Sequence, residues 1–337
     1  MKKVSKVLAV VLTFVIAVAC AACGGSSGNE DAKTIIFTVG TVETDDSVTA
    51  QVMKFFEEYV EENTGGRVDV QVHNNSVLGG ERELLEGIQL GTIQLALPGS
   101  TQFEAYDKKF SILDVPFLFP SLEANEAAWS GELGDIYNEW LNEIGYTCYG
   151  IIPVGFRGIA NNVHPVHKPD DLKGLKIRVM ESKNYVDTFN LLGANTISMS
   201  YSEVYTALQQ GTIDGQDNPP QFNVKAGFYE QQPYYTRSNH VLSRMLYIVS
   251  TDYMESLDPE IAQVIKDGLA LAVERHSVES IATDEAFVQE MIDYGVEVTY
   301  LTDEEMSLFV DKMEPLHAEF RKVVGDEIFD LALSYSK

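Results

Sequence analysis

The chain has 337 residues, of which 45% are hydrophobic and 22% are charged, and its formal net charge at pH 7 is −27. Such an acidic surface repels nucleic acid and anionic membranes, so we expect neither as a partner. Salt confines that repulsion to a Debye length of about 8 Å, so the net charge does not exclude a small anionic ligand. The length favours two domains, because single hydrophobic cores stop growing at roughly 250 to 300 residues.

The amino terminus has the layout of a secretory signal. Three lysines precede an uncharged apolar run over 7–22, which the stretch CGGSSG follows. The run is shorter than the roughly 20 apolar residues that a membrane-spanning helix needs. We therefore expect 1–22 to be a cleaved signal peptide and 23–33 to be a flexible tether.

Two cysteines near this cleavage point are candidates for lipidation. The small residues before Cys20 and Cys23 are similar to a bacterial lipobox, in which the thiol of the first mature residue is acylated. Cys23 is the expected acceptor and Cys20 the alternative. We expect an extracytoplasmic protein, periplasmic or on the outer face of the plasma membrane, that touches the membrane only through this lipid. Cys148 is the third cysteine, so no disulfide framework, metal site or cofactor is expected.

From Thr34 onward, strands and helices alternate along the chain. TIIFTVG, RVDVQV and TIQLALPG predict strands, while 48–63 and the segment around Leu84 predict helices between them. This alternation indicates a parallel sheet that is covered by helices on both faces. Ligands of such sheets bind at the carboxyl ends of the strands, which here are 40–43 and 98–101.

The alternation restarts in the second half of the chain. KIRVM and ISMS predict strands, and SEVYTALQQG predicts a helix with Ser202 as its N-cap. Asp-Pro at 258–259 fits the start of a helix that extends to about Tyr294. A capping box at 302–305 indicates a final helix, which Pro315 is expected to kink.

Four stretches, in this order, carry a resemblance to a known family: NSVLGGERELLEGIQLGTIQLAL, LDVPFLF, PDDLKGLKIRV and SEVYTALQQGTIDGQDNP. Over about 34–325 the chain resembles the solute receptors of tripartite ATP-independent (TRAP) transporters, of the dicarboxylate-binding type. The resemblance implies a two-domain α/β fold of the periplasmic-binding-protein type, with hinge strands and a long helix that spans both domains. It places 34–154 and 244–283 in domain one, and 155–243 and 284–337 in domain two.

By this resemblance the protein binds a small carboxylate between its domains and delivers it to membrane-embedded TRAP permease subunits. An enzyme is not expected, since no HExxH, GxSxG or P-loop motif is present. Two alternatives stay open: a lipoprotein that reports its ligand to a membrane signalling partner, and a hydrolase, for which we find no base and nucleophile. A sugar acid and a C4-dicarboxylate both fit as ligand. The sugar acid is favoured, because the DGQDNP loop and Tyr201 suit a polyhydroxylated body.

The resemblance also implies which residues bind the ligand. Arg178 matches the arginine that pairs with the ligand carboxylate, for which a guanidinium offers two parallel N–H donors. Asn218 matches an asparagine whose amide donates to the same carboxylate. Arg157 matches a second, more variable arginine, with an interdomain salt bridge as its alternative role. Tyr201 stands where an aromatic ring packs on the ligand's carbon skeleton.

The first domain matches the family less well. Gly99 stands where some members carry a carboxylate, so contacts to the distal end of the ligand are not carried over. Four residues lie in segments that reach the cleft in relatives and are weaker candidates for ligand contact: Glu81, Thr41, Glu43 and His240.

Overall fold

The computed structural model describes residues 34–336. The predicted signal peptide, the tether and both candidate lipidation cysteines lie outside the described residues. Within 34–336, none of the helices combines the length and the apolar character that crossing a membrane requires.

The first sheet has five strands in the order β2-β1-β3-β10-β4. These strands are β1 (Ile35–Gly40), β2 (Val68–His73), β3 (Leu95–Ala96), β4 (Tyr146–Phe156) and β10 (Leu242–Ser250). β3 is parallel to β1, as the alternating pattern predicts, whereas β10 is antiparallel to both β3 and β4. The sheet is therefore mixed, because the long strands β4 and β10 join its parallel part.

The second sheet has six strands in the order β11-β9-β5-β8-β6-β7. These strands are β5 (Gly158–Asn161), β6 (Lys176–Val179), β7 (Asn195–Ser198), β8 (Gly215–Asn218), β9 (Tyr234–Arg237) and β11 (Glu297–Tyr300). β6 is parallel to β7 and β8, and β5 is antiparallel to β8 and β9. The chain passes between the sheets from β4 to β5 and from β9 to β10, which are the expected hinge crossings.

Helices cover both sheets. They are α1 (Val48–Asn63), α2 (Glu81–Gln89), α3 (Leu122–Trp129), α4 (Glu132–Glu143), α5 (Lys183–Leu192), α6 (Val204–Gln209), α7 (Pro220–Lys225), α8 (Thr251–Ser256), α9 (Pro259–Ala282), α10 (Asp284–Tyr294), α11 (Asp303–Lys312), α12 (Glu314–Val324) and α13 (Asp326–Ser334). We call each sheet with its covering elements a lobe. One cluster of buried apolar side chains joins the lobes, since it contains both Leu246 of β10 and Ile177 of β6.

The long helix that the sequence predicts from 258 to Tyr294 is present with one interruption. Asp258 caps α9 by accepting a hydrogen bond from the Glu260 amide, and Thr283 separates α9 from α10. α9 packs against α1 and β4 of the first lobe, whereas α10 packs against α7 of the second. The two consecutive helices therefore run along both lobes.

Two predicted helix features are corrected by the structure. Ser202 is not an N-cap, because the 3-10 turn Tyr201–Glu203 precedes α6 and its capping box pairs Ser200 with Glu203. The predicted capping box at 302–305 is present, but Pro315 does not kink that helix. It occupies the first turn of the separate helix α12, where the missing amide hydrogen costs no helical hydrogen bond.

The carboxyl-terminal tail contacts both lobes. α11 packs against α5 of the second lobe, whereas α12 packs against the 3-10 segment Lys108–Asp114 and α13 packs against α4, both in the first lobe. The domain boundaries drawn from the resemblance stay a prediction, and the contacts of α12 and α13 associate the last helices with the first lobe.

Candidate functional site

A cleft lies between the lobes, at the carboxyl ends of β1, β3, β6 and β8. The first lobe lines it with Val42, Glu43, Gly80, Glu81, Gly99, Gln102, Ser243, Arg244 and Met245. The second lobe and the β4–β5 crossing line it with Arg157, Arg178, Met180, Glu181, Met199, Ser200, Tyr201, Ser202, Asn218 and Phe222. The strand ends that the sequence indicates, 40–43 and 98–101, thus contribute to the cleft.

Hydrogen bonds bridge the lobes at two places. Lys225 of α7 donates to Asp46 at 2.8 Å. Glu104 of the first lobe accepts from the Ser182 hydroxyl and, at 3.3 Å, from the Asn184 amide at the start of α5. The lobes are therefore in a closed arrangement.

Arg178, on β6, has one guanidinium nitrogen without a partner. The residue is 1% exposed. Its Nε and Nη2 donate to the Met199 carbonyl at 3.1 and 2.8 Å, whereas Nη1 has no hydrogen-bond partner within 34–336. Burial lowers the pKa of Arg178 to about 10, against the opposing charge of Asp217, so the group is still charged at neutral pH. A buried cation with a free donor is suited to bind an anion.

Arg157 is neutralised within the protein. Its Nε donates to the Asp217 carboxylate at 2.6 Å, its Nη1 to the Ser243 hydroxyl at 3.1 Å, and its Nη2 to Asn218 Oδ1 at 3.1 Å. Burial alone would raise the pKa of Asp217, but Arg157 and a hydrogen bond from His240 hold it well below its usual range. Arg157 therefore forms a salt bridge, but not the interdomain one that was expected, because Asp217 belongs to β8 of the second sheet.

Asn218 ends β8 beside this ion pair. Its Nδ2 donates to Gln216 Oε1 at 2.6 Å, while its Oδ1 accepts from Arg157. The amide is thus engaged within the protein in this structure. A ligand carboxylate that accepts from Asn218 would have to replace the Gln216 oxygen.

Tyr201 forms part of an aromatic wall. Its ring meets Phe222 and Phe228 edge-on, with centroids 5.9 and 5.5 Å apart. Burial raises the pKa of Tyr201 far above its ordinary value, so the hydroxyl is neutral, and it has no partner among the described residues. Together with Met180, Met199 and Met245, which also line the cleft, this wall offers the ligand an apolar surface and the hydroxyl of Tyr201.

The first lobe contributes two carboxyl groups. Burial and then the charge of Glu81 raise the pKa of Glu43 to about 8, so Glu43 is mostly protonated at neutral pH. Glu81 accepts from the Gly99 amide at 2.7 Å and from Gln102 Nε2 at 3.0 Å. Burial raises the pKa of Glu81 too, against the opposing effects of Gly99, Arg178 and Gln102. A Cβ at Gly99 would lie 3.3 Å from Glu81 Oε1, so Glu81 occupies the space beside this glycine.

Two of the predicted ligand residues, Thr41 and His240, do not line the cleft. The Thr41 hydroxyl accepts from the Glu43 amide at 3.1 Å and so supports the loop behind Glu43. His240 lies between Ser238, at 2.8 Å, and Asp217, at 3.2 Å. Since an ionised carboxylate only accepts, His240 Nε2 donates to Asp217. Both residues support the wall from behind, and we assign neither a ligand contact.

Several lining residues carried no signal in the sequence. Ser243 and Met245 belong to β10, which is buried from Leu242 to Val249, so no alternation marks the face that meets the cleft. Arg244 also lines the cleft, but its guanidinium is engaged within the first lobe, where Nε donates to Asn125 at 2.7 Å and Nη1 to the Leu242 carbonyl at 2.8 Å. Phe222 had a usable signal, since two prolines after Asn218 start the helix that carries it.

Comparisons with known proteins agree with this geometry. A family model described as bacterial extracellular solute-binding protein, family 7 (DctP), matches residues 39–323. The C4-dicarboxylate-binding periplasmic protein DctP of Rhodobacter capsulatus is 33% identical over 274 residues, which are 81% of this chain and 82% of that protein.

Solved structures share the fold over nearly their whole length. The sugar acid binding protein DctPAm of Advenella mimigardefordensis, in complex with galactonate, is 28% identical with a TM-score of 0.87, covering 91% of this chain and 99% of that one. A TRAP periplasmic solute-binding protein of Shewanella oneidensis with bound succinate is 29% identical, also with a TM-score of 0.87, covering 90% and 100%. The chain therefore belongs to the DctP family of bacterial extracellular solute-binding proteins, the non-enzymatic solute receptors of TRAP transporters.

Proposed function

We propose that this receptor binds a small organic acid whose carboxylate is held by Arg178 in the interlobe cleft, and presents it to a TRAP permease in the membrane. The observation that carries the proposal is the free Nη1 of Arg178, a charged donor that is buried in the cleft. Arg157 does not compete for this role, because Asp217 already neutralises it.

The relatives support a carboxylate ligand. The Advenella protein binds galactonate and the Shewanella protein binds succinate, two molecules that share a carboxylate and little else. In this chain, Asn218 and the Tyr201 hydroxyl lie in the same lining as Arg178, ready to position the anion and the carbon body next to it.

Closure completes the site. The second lobe carries Arg178 and Asn218, and the first lobe brings Glu81 and Gln102 to the same cavity. A ligand that touches both lobes binds the closed state better than the open one and shifts the population towards it. The closed receptor is then the form that is presented to the permease.

A thermal-shift panel tests the proposal. The mature chain, 23–337 with Cys23→Ser, is heated with galactonate, glucuronate, succinate, pyruvate, galactose and galactitol. A ligand at 100 times its Kd adds about 2.7 kcal/mol, which at this length raises Tm by several degrees. Stabilisation by carboxylates alone supports the proposal. Stabilisation by the neutral sugars, or by no member of the panel, contradicts it.

We also propose that the receptor is exported and anchored by a lipid on Cys23. The support is the lysine-led apolar run and the small residues that flank this cysteine. Labelling with radioactive palmitate in a bacterial host tests the anchor. Cys23→Ser should abolish the label, and Cys20→Ser should keep it. The reverse result would move the acceptor to Cys20, and an unlabelled wild-type chain would refute the anchor.

A further inference from the structure

The two walls of the cleft carry opposite charge. Arg178 provides the free positive charge of the second lobe, since Arg157 is paired with Asp217. The first lobe presents Glu81, whose two oxygens each accept one hydrogen bond, and Glu43, which is 3% exposed and lines the same cavity.

A ligand anchored by its carboxylate at Arg178 therefore also meets the carboxyl groups of the first lobe, which line the same cavity. A hydroxyl group suits this position, because it donates to Glu81 and accepts from protonated Glu43. A second carboxylate does not, because it offers Glu81 no donor and places a like charge beside it. Glu181, at the exposed mouth of the cleft, adds a further negative charge.

We infer that Glu43 and Glu81 are specificity-determining residues that select a hydroxylated monocarboxylate and reject dicarboxylates. The inference rests on the proposed function and narrows its substrate class. The apolar part of the ligand packs against Tyr201 and Phe222, while Glu43 and Glu81 form hydrogen bonds with its hydroxyl groups away from the bound carboxylate.

Matched acids isolate the distal group. Galactonate and galactarate differ only in the end of the chain, which is a hydroxymethyl group in the first and a carboxylate in the second, and erythronate and meso-tartrate differ in the same way. Calorimetric titration of the mature chain should show at least about tenfold tighter binding of the monocarboxylate in the better-binding pair.

Two variants assign the discrimination to its source. Glu81→Gln keeps the size of the side chain and removes its charge, so it should narrow the preference by about fivefold or more. Glu43→Gln should weaken binding of the monocarboxylate, and it should reduce the preference over the dicarboxylate less than Glu81→Gln does. Glu83→Gln, on the exposed face of the same helix, is the matched control and should leave the preference unchanged.

The outcomes separate this inference from the proposed function. Equal or tighter binding of galactarate, meso-tartrate or succinate by wild type overturns the specificity inference but leaves a carboxylate receptor. An unchanged preference in Glu81→Gln also overturns it. Failure of all these acids to bind, or binding of galactitol, overturns both.

Discussion

The two walls of the cleft hold their charges differently. On the second lobe, Arg157, Asp217 and His240 form a hydrogen-bonded network, and Arg178 beside it keeps a guanidinium nitrogen without a partner among the described residues. On the first lobe, Glu43 is buried with no hydrogen bond from 34–336 to favour its ionised form. In the second lobe, the residues around the anion site are thus hydrogen-bonded to each other before a ligand binds. In the first lobe, the protonation of the carboxyl groups depends on which ligand groups lie beside them.

This difference indicates a division of roles. The paired network fixes the direction of the carboxylate, which all proposed ligands share. The carboxyl wall meets the part of the ligand that varies. Variants of the first kind should change stability or abolish binding, and variants of the second kind should change pH dependence and preference.

The largest stability effect is expected for Asp217→Ala. The change leaves the buried Arg157 without a counter-ion, and breaking a buried ion pair from one side typically costs about 3 to 5 kcal/mol. Urea unfolding of the mature chain measures it. The exposed pair Lys54 with Glu58 is the control, and Glu58→Ala should cost no more than about 0.5 kcal/mol. A loss below about 1 kcal/mol in Asp217→Ala would show that the network is not needed.

Arg178→Ala should abolish binding rather than folding. Removing one partner of a desolvated charge pair costs about 2 to 5 kcal/mol, so Kd should rise roughly thirtyfold to several thousandfold. Because Arg178 forms no direct ion pair within 34–336, its removal should lower the free energy of unfolding less than Asp217→Ala does. Calorimetry and urea unfolding measure the two effects. A Kd within threefold of wild type would refute the assignment.

Glu43→Gln should alter the pH dependence of stability. The folded pKa of Glu43, about 8, lies above the unfolded value, 4.5. Its stabilising contribution is therefore complete below pH 4.5 and is lost as pH rises through 8, by up to about 1.4 kcal/mol per pH unit. The groups facing it are Glu81, Arg178 and Tyr201.

Thermal unfolding of wild type and Glu43→Gln at pH 5, 6.5 and 8 checks this prediction. The variant should gain Tm over wild type as pH rises, with the largest gain at pH 8. Glu83→Gln, whose side chain is exposed, is the control and should follow wild type. A difference in Tm that does not grow with pH would contradict the raised pKa.

The smallest effects are expected at the contacts that bridge the lobes. Glu104 accepts from Ser182 and Asn184 at the start of α5, where a negative charge is favoured by about 0.3 to 1 kcal/mol. Glu104→Gln should therefore destabilise the closed state, which binds the ligand, and raise the ligand Kd about two- to fivefold. Lys225→Ala breaks the more exposed pair with Asp46 and should change Kd less, the more so in high salt. A larger effect at Lys225 would reverse this order.

The sequence predicted much of the fold because the pattern of each element is local. The period of apolar residues located α1 at 48–63, and Asp258 marked the start of α9. The break at Thr283 was not predictable, because the helical pattern continues through it. Ser202 was misassigned because a local capping rule cannot distinguish Ser200 from a serine two residues later.

The site was predicted less evenly. Arg178 and Asn218 came from a resemblance, and the structure places both in the cleft. The charge and hydrogen bonding of each group were not predictable, because they depend on partners far along the chain, such as Arg157 and Asp217, which are 60 positions apart. His240 illustrates this limit. It contacts Asp217, the partner of Arg157, and does not line the cleft itself, and no local sequence pattern distinguishes these two positions.

The central claim is that Nη1 of Arg178 binds the ligand carboxylate. A crystal structure of the mature chain with the acid that binds most tightly tests it directly. The account predicts a carboxylate oxygen about 2.7 to 2.9 Å from Nη1, with the rest of the ligand directed towards Glu43 and Glu81. A carboxylate bound elsewhere, with Nη1 still without a partner, would contradict it.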